Sequence, residues 1–258
     1  MRGLNGSTAL VTGATGVIGG AIARRLVDEG ALVLVVSRSL EKAEAFIKRE
    51  PGRAQRLRAC ALDLCDGDSI SAALETLERA GTFPEVMIAA ASVREGLGTP
   101  VRELSHAHFT RLFAADVAGH YLCARGIVER LAPGRAASFV WLSSIYADVG
   151  VDQRLYPSGM APTPVTYAAA KAGVGGLVRY LAAAWGERGV RVNAVVSGGV
   201  QNPSRQLGDF VQRYAHRTML GRMAQADEIA AVAVFLASAE ASYITAQTVS
   251  ADGGFTAW

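Results

Sequence analysis

Thr8-Ala9-Leu10-Val11-Thr12-Gly13-Ala14-Thr15-Gly16-Val17-Ile18-Gly19 is the first patterned stretch of the chain. Thr8–Val11 is a short, almost continuously apolar run, the mark of a strand buried on both faces. Beyond the glycines, Val17, Ile18, Ala21, Ile22 and Leu26 recur at helical spacing, while Arg24, Arg25, Asp28 and Glu29 fall on the other side. A strand therefore runs through a glycine turn into a helix. Glycines at 13, 16 and 19 let the backbone turn tightly and come close to a pyrophosphate, which would rest on the N–H groups that open the helix. A nucleotide site is expected at this junction; a plain turn is the simpler alternative.

The same alternation continues to the end of the chain. Leu32–Val36, Leu57–Leu62, Val86–Ala90, Ala137–Leu142, Val190–Val196 and Gln247–Ser250 read as strands. Helical patterns fill 17–29, 40–50, 67–80, 103–132, 164–187 and 225–237 between them. Repeated βα units with right-handed crossovers predict an α/β fold, a Rossmann-type doubly wound parallel sheet of about seven strands with helices on both faces. Such sheets bind ligands outside the carboxyl ends of their strands.

The 258 residues carry no linker, repeat or low-complexity block, so one domain, 1–258, is expected. Twenty-six basic against 23 acidic side chains leave a net charge of +3 with signs mixed, which gives no footprint for nucleic acid. The apolar runs are strand-length, too short to span a membrane. Residues 1–8 lack an apolar signal core, so a cytoplasmic protein is expected. Cys60, Cys65 and Cys123 and the four histidines fit no metal spacing, so no metal site is expected.

Two further sites carry chemistry. The second strand ends in Ser37-Arg38, where dinucleotide sites often hold a carboxylate for the ribose 2′-hydroxyl. Serine removes that carboxylate and arginine offers paired donors to a 2′-phosphate, which favours NADP over NAD as cofactor. Tyr167-Ala168-Ala169-Ala170-Lys171 places a phenol and an ammonium one helical turn apart. A phenol ordinarily ionises near pH 10, so acid/base work near neutrality needs stabilisation that an adjacent ammonium supplies. Ser144 closes the fifth strand, where a hydroxyl can polarise a carbonyl.

Taken together, these residues resemble the short-chain dehydrogenase/reductase family in its compact single-domain branch. The likeness covers essentially the whole chain. It is anchored by Thr12–Gly19, Asp63, Ser144, Tyr167 with Lys171, Arg191-Val192-Asn193-Ala194 and Asp252-Gly253-Gly254. The 220–258 tail and the stretch before Tyr167 look most like a bacterial subgroup associated with surface-sugar or flagellin-glycan biosynthesis. The resemblance implies Tyr167 as acid/base, Lys171 on the nicotinamide ribose and Ser144 on the substrate. It lays the cofactor against Gly13, Thr15, Gly16, Val17, Ile18 and Gly19, then Ser37, Arg38, Asp63, Leu64, Ala90, Ala91, Tyr167, Lys171, Gly198 and Val200.

Four positions depart from the family pattern. Val17 replaces a glycine, as in the extended branch that holds sugar-nucleotide epimerases. Ala89-Ala90-Ala91-Ser92 replaces the Asn-Asn-Ala-Gly whose side chains brace the loop after the fourth strand. Asp116 replaces the helix asparagine that holds a proton-relay water, and Ser197 replaces a proline. Asp116 is nevertheless a candidate catalytic residue, with His120 one turn later as a possible proton partner or a partly buried helix residue.

The expected function is an NADP(H)-dependent oxidoreductase moving a hydride between nicotinamide and a carbonyl or secondary alcohol. The alternatives are a nucleotide-binding sensor or scaffold with impaired turnover, and a sugar-nucleotide epimerase or dehydratase. The partner is a small molecule; family members also form homodimers or homotetramers. A substrate lid is expected around 200–224, where Arg205, Arg213, Arg217 and Arg222 face one acid, Asp209. The segment Tyr146 to Pro164 adds Arg154, Tyr156 and stiffening prolines. Such arginines suit an anionic or sugar-like substrate.

Overall fold

The computed structural model describes residues 1–93, 96–202, 206 and 208–258. Seven strands form one parallel sheet: β1 (Thr8–Thr12), β2 (Leu32–Ser37), β3 (Leu57–Ala61), β4 (Val86–Ala89), β5 (Ala137–Ser144), β6 (Val190–Ser197) and β7 (Thr248–Ala251). Their spatial order is β3-β2-β1-β4-β5-β6-β7. The order reverses between β1 and β4, which opens a crevice at their carboxyl ends.

Eight α-helices accompany the strands among the described residues: α1 (Val17–Asp28), α2 (Leu40–Lys48), α3 (Gly67–Arg79), α4 (His106–Phe113), α5 (His120–Arg130), α6 (Val165–Trp185), α7 (Gly208–Ala215) and α8 (Ala226–Ala237). Side chains alternate across each strand, so Ala9, Val11, Val33 and Val35 join α1, α2 and α8 in one apolar layer. Leu10, Leu34, Val36, Met87, Phe139 and Trp141 join α3, α5 and α6 in the other. Burial on both faces explains why the strands read as continuous apolar runs. No helix among the described residues is long and apolar enough to cross a membrane.

The strand boundaries agree with the sequence to within a residue or two. The helical pattern over 103–132 does not form one helix. It divides into α4, a wide π turn over Ala114–Gly119, and α5. Such turns are often found at functional sites, and this one carries Asp116. Gly119 lets it approach β3's outgoing loop, since a Cβ there would lie 2.1 Å from the Leu64 carbonyl oxygen. The expected lid region holds α7 (Gly208–Ala215); Arg205 lies outside the described residues.

Gly119→Ala should therefore destabilise the protein by about 1–3 kcal/mol, the usual cost of overpacking. Gly176→Ala, inside α6 with nothing within 4 Å of the added methyl, should stabilise it by about 0.5–1 kcal/mol. Urea unfolding of the two variants checks both signs.

Candidate active site

The first βα junction presents backbone N–H groups that could hold an anion. Gly13 has φ +68°, and a Cβ there would meet the Ala91 nitrogen at 2.7 Å. A Cβ at Gly19 would meet the Gly13 carbonyl oxygen at 2.2 Å, so no larger residue fits the close approach of loop and helix. Helix α1 begins after Gly16 with no side-chain cap and no acidic residue in its first turn. Its opening N–H groups thus remain available to a phosphate. Thr15, Gly16 and Val17 are exposed along this edge and Ile18 is half-buried. Val17 is 46% exposed, so its branched side chain does not crowd the turn.

At the end of β2, the Ser37 hydroxyl accepts the Ser39 N–H at 3.3 Å. Arg38 is exposed and makes no hydrogen bond or ion pair among the described residues. Asp63 follows β3, with Oδ1 accepting the Cys65 N–H at 2.9 Å and its own N–H donated to Ser69. Leu64 is half-buried beside Gly119. Across the crevice, Gly198 packs so closely on Asp252 that a Cβ would lie 2.7 Å from its Cα. Val200 forms an isolated parallel bridge with Ala224. Ser197, in place of proline, closes its hydroxyl onto the Gly198 carbonyl at 2.8 Å.

The chemistry-bearing residues converge between β5 and α6. Ser144 ends β5 and is 6% exposed. Lys171, one turn after Tyr167 on α6, is 3% exposed although charged. Its Nζ donates to the Leu142 carbonyl at 3.0 Å and lies 3.2 Å from Asp116 Oδ2. The same ammonium stands 5.5 Å from the centre of the half-buried Tyr167 ring. Ser143 ties the helix to the strand by donating to the Lys171 carbonyl at 3.1 Å. Asp116 Oδ1 accepts the Val93 N–H at 3.1 Å. Its Oδ2 is close enough for an ion pair but is not aligned for a hydrogen bond, leaving a buried oxygen with one unfilled direction. Such an atom is suited to an additional donor.

His120, offered by the sequence as a proton partner of Asp116 or a partly buried helix residue, touches Asp116 through its backbone carbonyl. It is 1% exposed, not partly buried, and its Nδ1 lies 3.0 Å from the Asp116 carbonyl. A carbonyl only accepts, so Nδ1 carries the proton and Nε2 accepts from the Thr12 hydroxyl, 2.9 Å away. That hydroxyl in turn accepts the Ala90 and Ala91 N–H groups, each at 3.1 Å. Its single proton lies between His120 Nε2 and the Ile88 carbonyl, 3.3 Å away, and both acceptor positions are used. The loop after β4 is therefore braced despite losing two asparagines, through Thr12 at one end and Asp116 on Val93 at the other.

Of the arginines expected to clamp an anion, Arg154 and Arg222 are paired with carboxylates, while Arg217 keeps a buried Nε without a hydrogen-bond partner among the described residues. Arg154 pairs with Asp152 through two nitrogens, and Arg222 does the same with Glu228. Arg213 donates to the Arg154 carbonyl at 2.9 Å, and Arg217 lies 5.5 Å over the Phe255 ring.

A doubly wound sheet, a free helix start at its switch point and a buried lysine beside a tyrosine define a dinucleotide-binding oxidoreductase. A family profile described as "Enoyl-(Acyl carrier protein) reductase" matches residues 13–256. D-threitol dehydrogenase of Mycolicibacterium smegmatis is 34% identical over 98% of this chain and 94% of its own. The 2,5-dichloro-2,5-cyclohexadiene-1,4-diol dehydrogenase of Sphingobium indicum is 33% identical over the whole of both chains, 100% each. A crystal structure of a putative gluconate dehydrogenase from Agrobacterium tumefaciens shares the fold, with TM-score 0.89 and 24% identity over 99% of this chain and 98% of that one. The chain belongs to the short-chain dehydrogenase/reductase family.

Burial lowers the His120 imidazole to about 4 from its ordinary 6.5. Between those values the unfolded chain binds a proton that the folded chain does not, so stability falls as pH drops from 6.5 towards 4. From pH 7.5 to pH 5 this amounts to about 2 kcal/mol. Urea unfolding at both pH values should show that increment in the wild type and lose it in His120→Asn.

Proposed function

We propose that this protein is an NADP(H)-dependent alcohol dehydrogenase acting on a secondary hydroxyl, with Tyr167 as acid/base. The observation that carries this reading is Lys171, a lysine held 3% exposed between the Leu142 carbonyl and Asp116 and beside the Tyr167 ring. Burying an ammonium is costly unless its partners are fixed, so its placement indicates use. Asp116 and Leu142 leave part of its donor set free for ribose hydroxyls. A bound nicotinamide dinucleotide supplies the hydride exchange. Tyr167 takes the hydroxyl proton in oxidation and returns it in reduction, while Ser144 orients the substrate oxygen.

The glycine loop, the uncapped start of α1 and Asp63 suit the adenosine diphosphate half of the cofactor. Ser37 with the unengaged Arg38 supports NADP over NAD. Pairing of Arg154 with Asp152 and of Arg222 with Glu228 supports a neutral substrate. Relatives whose names specify threitol and a cyclic diol support alcohol chemistry of this kind. The free donors at Lys171 and the braced loop over 89–93 weigh against a scaffold that has lost turnover.

Tyr167→Phe should lower kcat by at least about 100-fold, the contribution of a positioned acid/base, with NADPH affinity nearly unchanged. Retention of most activity would remove Tyr167 from the role. Arg38→Ala should weaken NADPH binding by about tenfold or more, the scale of a lost charged hydrogen bond, and leave NADH binding almost unaltered. Fluorescence titration of both cofactors reads this. Tighter NADH than NADPH binding in the wild type would reverse the preference.

A further inference from the structure

Three hydroxyls outside the Ser144–Tyr167–Lys171 set form a continuous chain. The Tyr146 hydroxyl lies 2.8 Å from that of Tyr156, which lies 2.9 Å from Thr163 Oγ1. The chain joins the two segments that carry the proposed chemistry. Tyr146 is two residues beyond Ser144, and its N–H donates to the Ser144 hydroxyl at 3.3 Å. Thr163 precedes Pro164, whose carbonyl accepts the Tyr167 N–H at 3.1 Å. Burial pushes the Tyr146 phenol strongly upward, so it remains a neutral hydroxyl.

The surroundings make these hydroxyls conspicuous. Ile145, Leu155, Phe210, Tyr214, Met223 and Phe255 form an apolar cluster against which Tyr146 and Tyr156 pack. Tyr156 lies 5.3 Å from Phe210, ring centre to ring centre. Buried polar groups in such a setting are retained where they meet a partner. Three hydroxyls hold three protons, and the two internal bonds consume two of them. If the chain runs from Tyr146 to Thr163, Tyr146 presents a lone pair; if it runs the other way, Tyr146 presents a proton. Tyr146 is half-buried, and its hydroxyl makes no hydrogen bond among the described residues other than that to Tyr156. A group that both donates and accepts, an alcohol hydroxyl, matches either polarity.

We propose that Tyr146, backed by Tyr156 and Thr163, determines specificity by binding a second hydroxyl of the substrate, which makes the substrate a neutral diol or polyol. This rests on the dehydrogenase reading above and assigns the part of the substrate that does not react. A site that hydrogen-bonds a hydroxyl discriminates strongly against the analogue lacking it, because its own polar group is then left unpaired.

The test compares cyclohexanol with 1,2-cyclohexanediol and 1,4-cyclohexanediol under NADP⁺ in the wild type, Tyr146→Phe and Tyr156→Phe. At least one diol should exceed cyclohexanol in kcat/KM by about tenfold or more in the wild type. Tyr146→Phe should bring that ratio close to one, and Tyr156→Phe should lower it in part. A purely structural role would lower all three substrates alike and preserve the ratio, which would overturn the proposal. Titrating the same alcohols against the protein–NADPH complex reads the subsite without turnover. Tighter diol binding, lost in Tyr146→Phe, with no oxidation of any alcohol would overturn the dehydrogenase reading and leave the hydroxyl subsite standing. Equal affinity for cyclohexanol and both diols would overturn the subsite.

Discussion

The contact between Lys171 and Asp116 organises the rest of this site. An ammonium and a carboxylate are both almost wholly removed from water, 3.2 Å apart, on α6 and on the π turn before α5. Removing one member of such a pair leaves an uncompensated buried charge and typically costs about 3–5 kcal/mol. The pair therefore fixes α6, and with it Tyr167, against the π turn, while the Lys171 bond to the Leu142 carbonyl and the Ser143 bond to the Lys171 carbonyl hold it to the end of β5 beside Ser144. The π turn acquires its purpose from the same contact: it carries Asp116, while Gly119 lets it settle onto Leu64. Where relatives of the pattern use a neutral asparagine, this chain has a charge, and its site is correspondingly tied together by electrostatics.

A second constraint compensates for what the loop after β4 has lost. Ala89-Ala90-Ala91-Ser92 supplies no amide side chains, so the bracing comes from outside the segment. Thr12 holds two backbone N–H groups, His120 holds Thr12, and Asp116 holds Val93. One buried network thus links the glycine loop, the end of β4 and the carboxylate beside Lys171. Hydrogen bonds among buried groups from separate segments hold those segments rigidly to one another. The free helix start and the acid/base pair are held in one frame by this means.

The parallel sheet was legible because strands buried on both faces leave a period-free apolar signature, and the glycine loop and Tyr167–Lys171 because their spacing is local. What escaped depends on contacts distant in sequence. The π turn interrupts a pattern whose helical period continues through it. His120 and Thr12 are 108 residues apart, and nothing at either position announces the other. The arginines of 200–224 showed a charge excess, but the partners of two of them, the Arg154 carbonyl for Arg213 and Glu228 for Arg222, lie outside that window. Tyr146, Tyr156 and Thr163 were visible only as members of an insertion; their hydroxyl chain exists only once the insertion folds back on itself.

The central claim, that the buried Lys171–Asp116 pair holds the site together, is tested most directly by a double-mutant cycle in urea. The four proteins are wild type, Lys171→Met, Asp116→Asn and the double variant. If the pair governs the site, Lys171→Met leaves a buried carboxylate without its partner, and adding Asp116→Asn relieves that defect. The double variant should then be more stable than the sum of the single losses predicts, by more than about 1 kcal/mol. Losses that add to within about 0.5 kcal/mol would show that the two side chains act independently, contradicting the account.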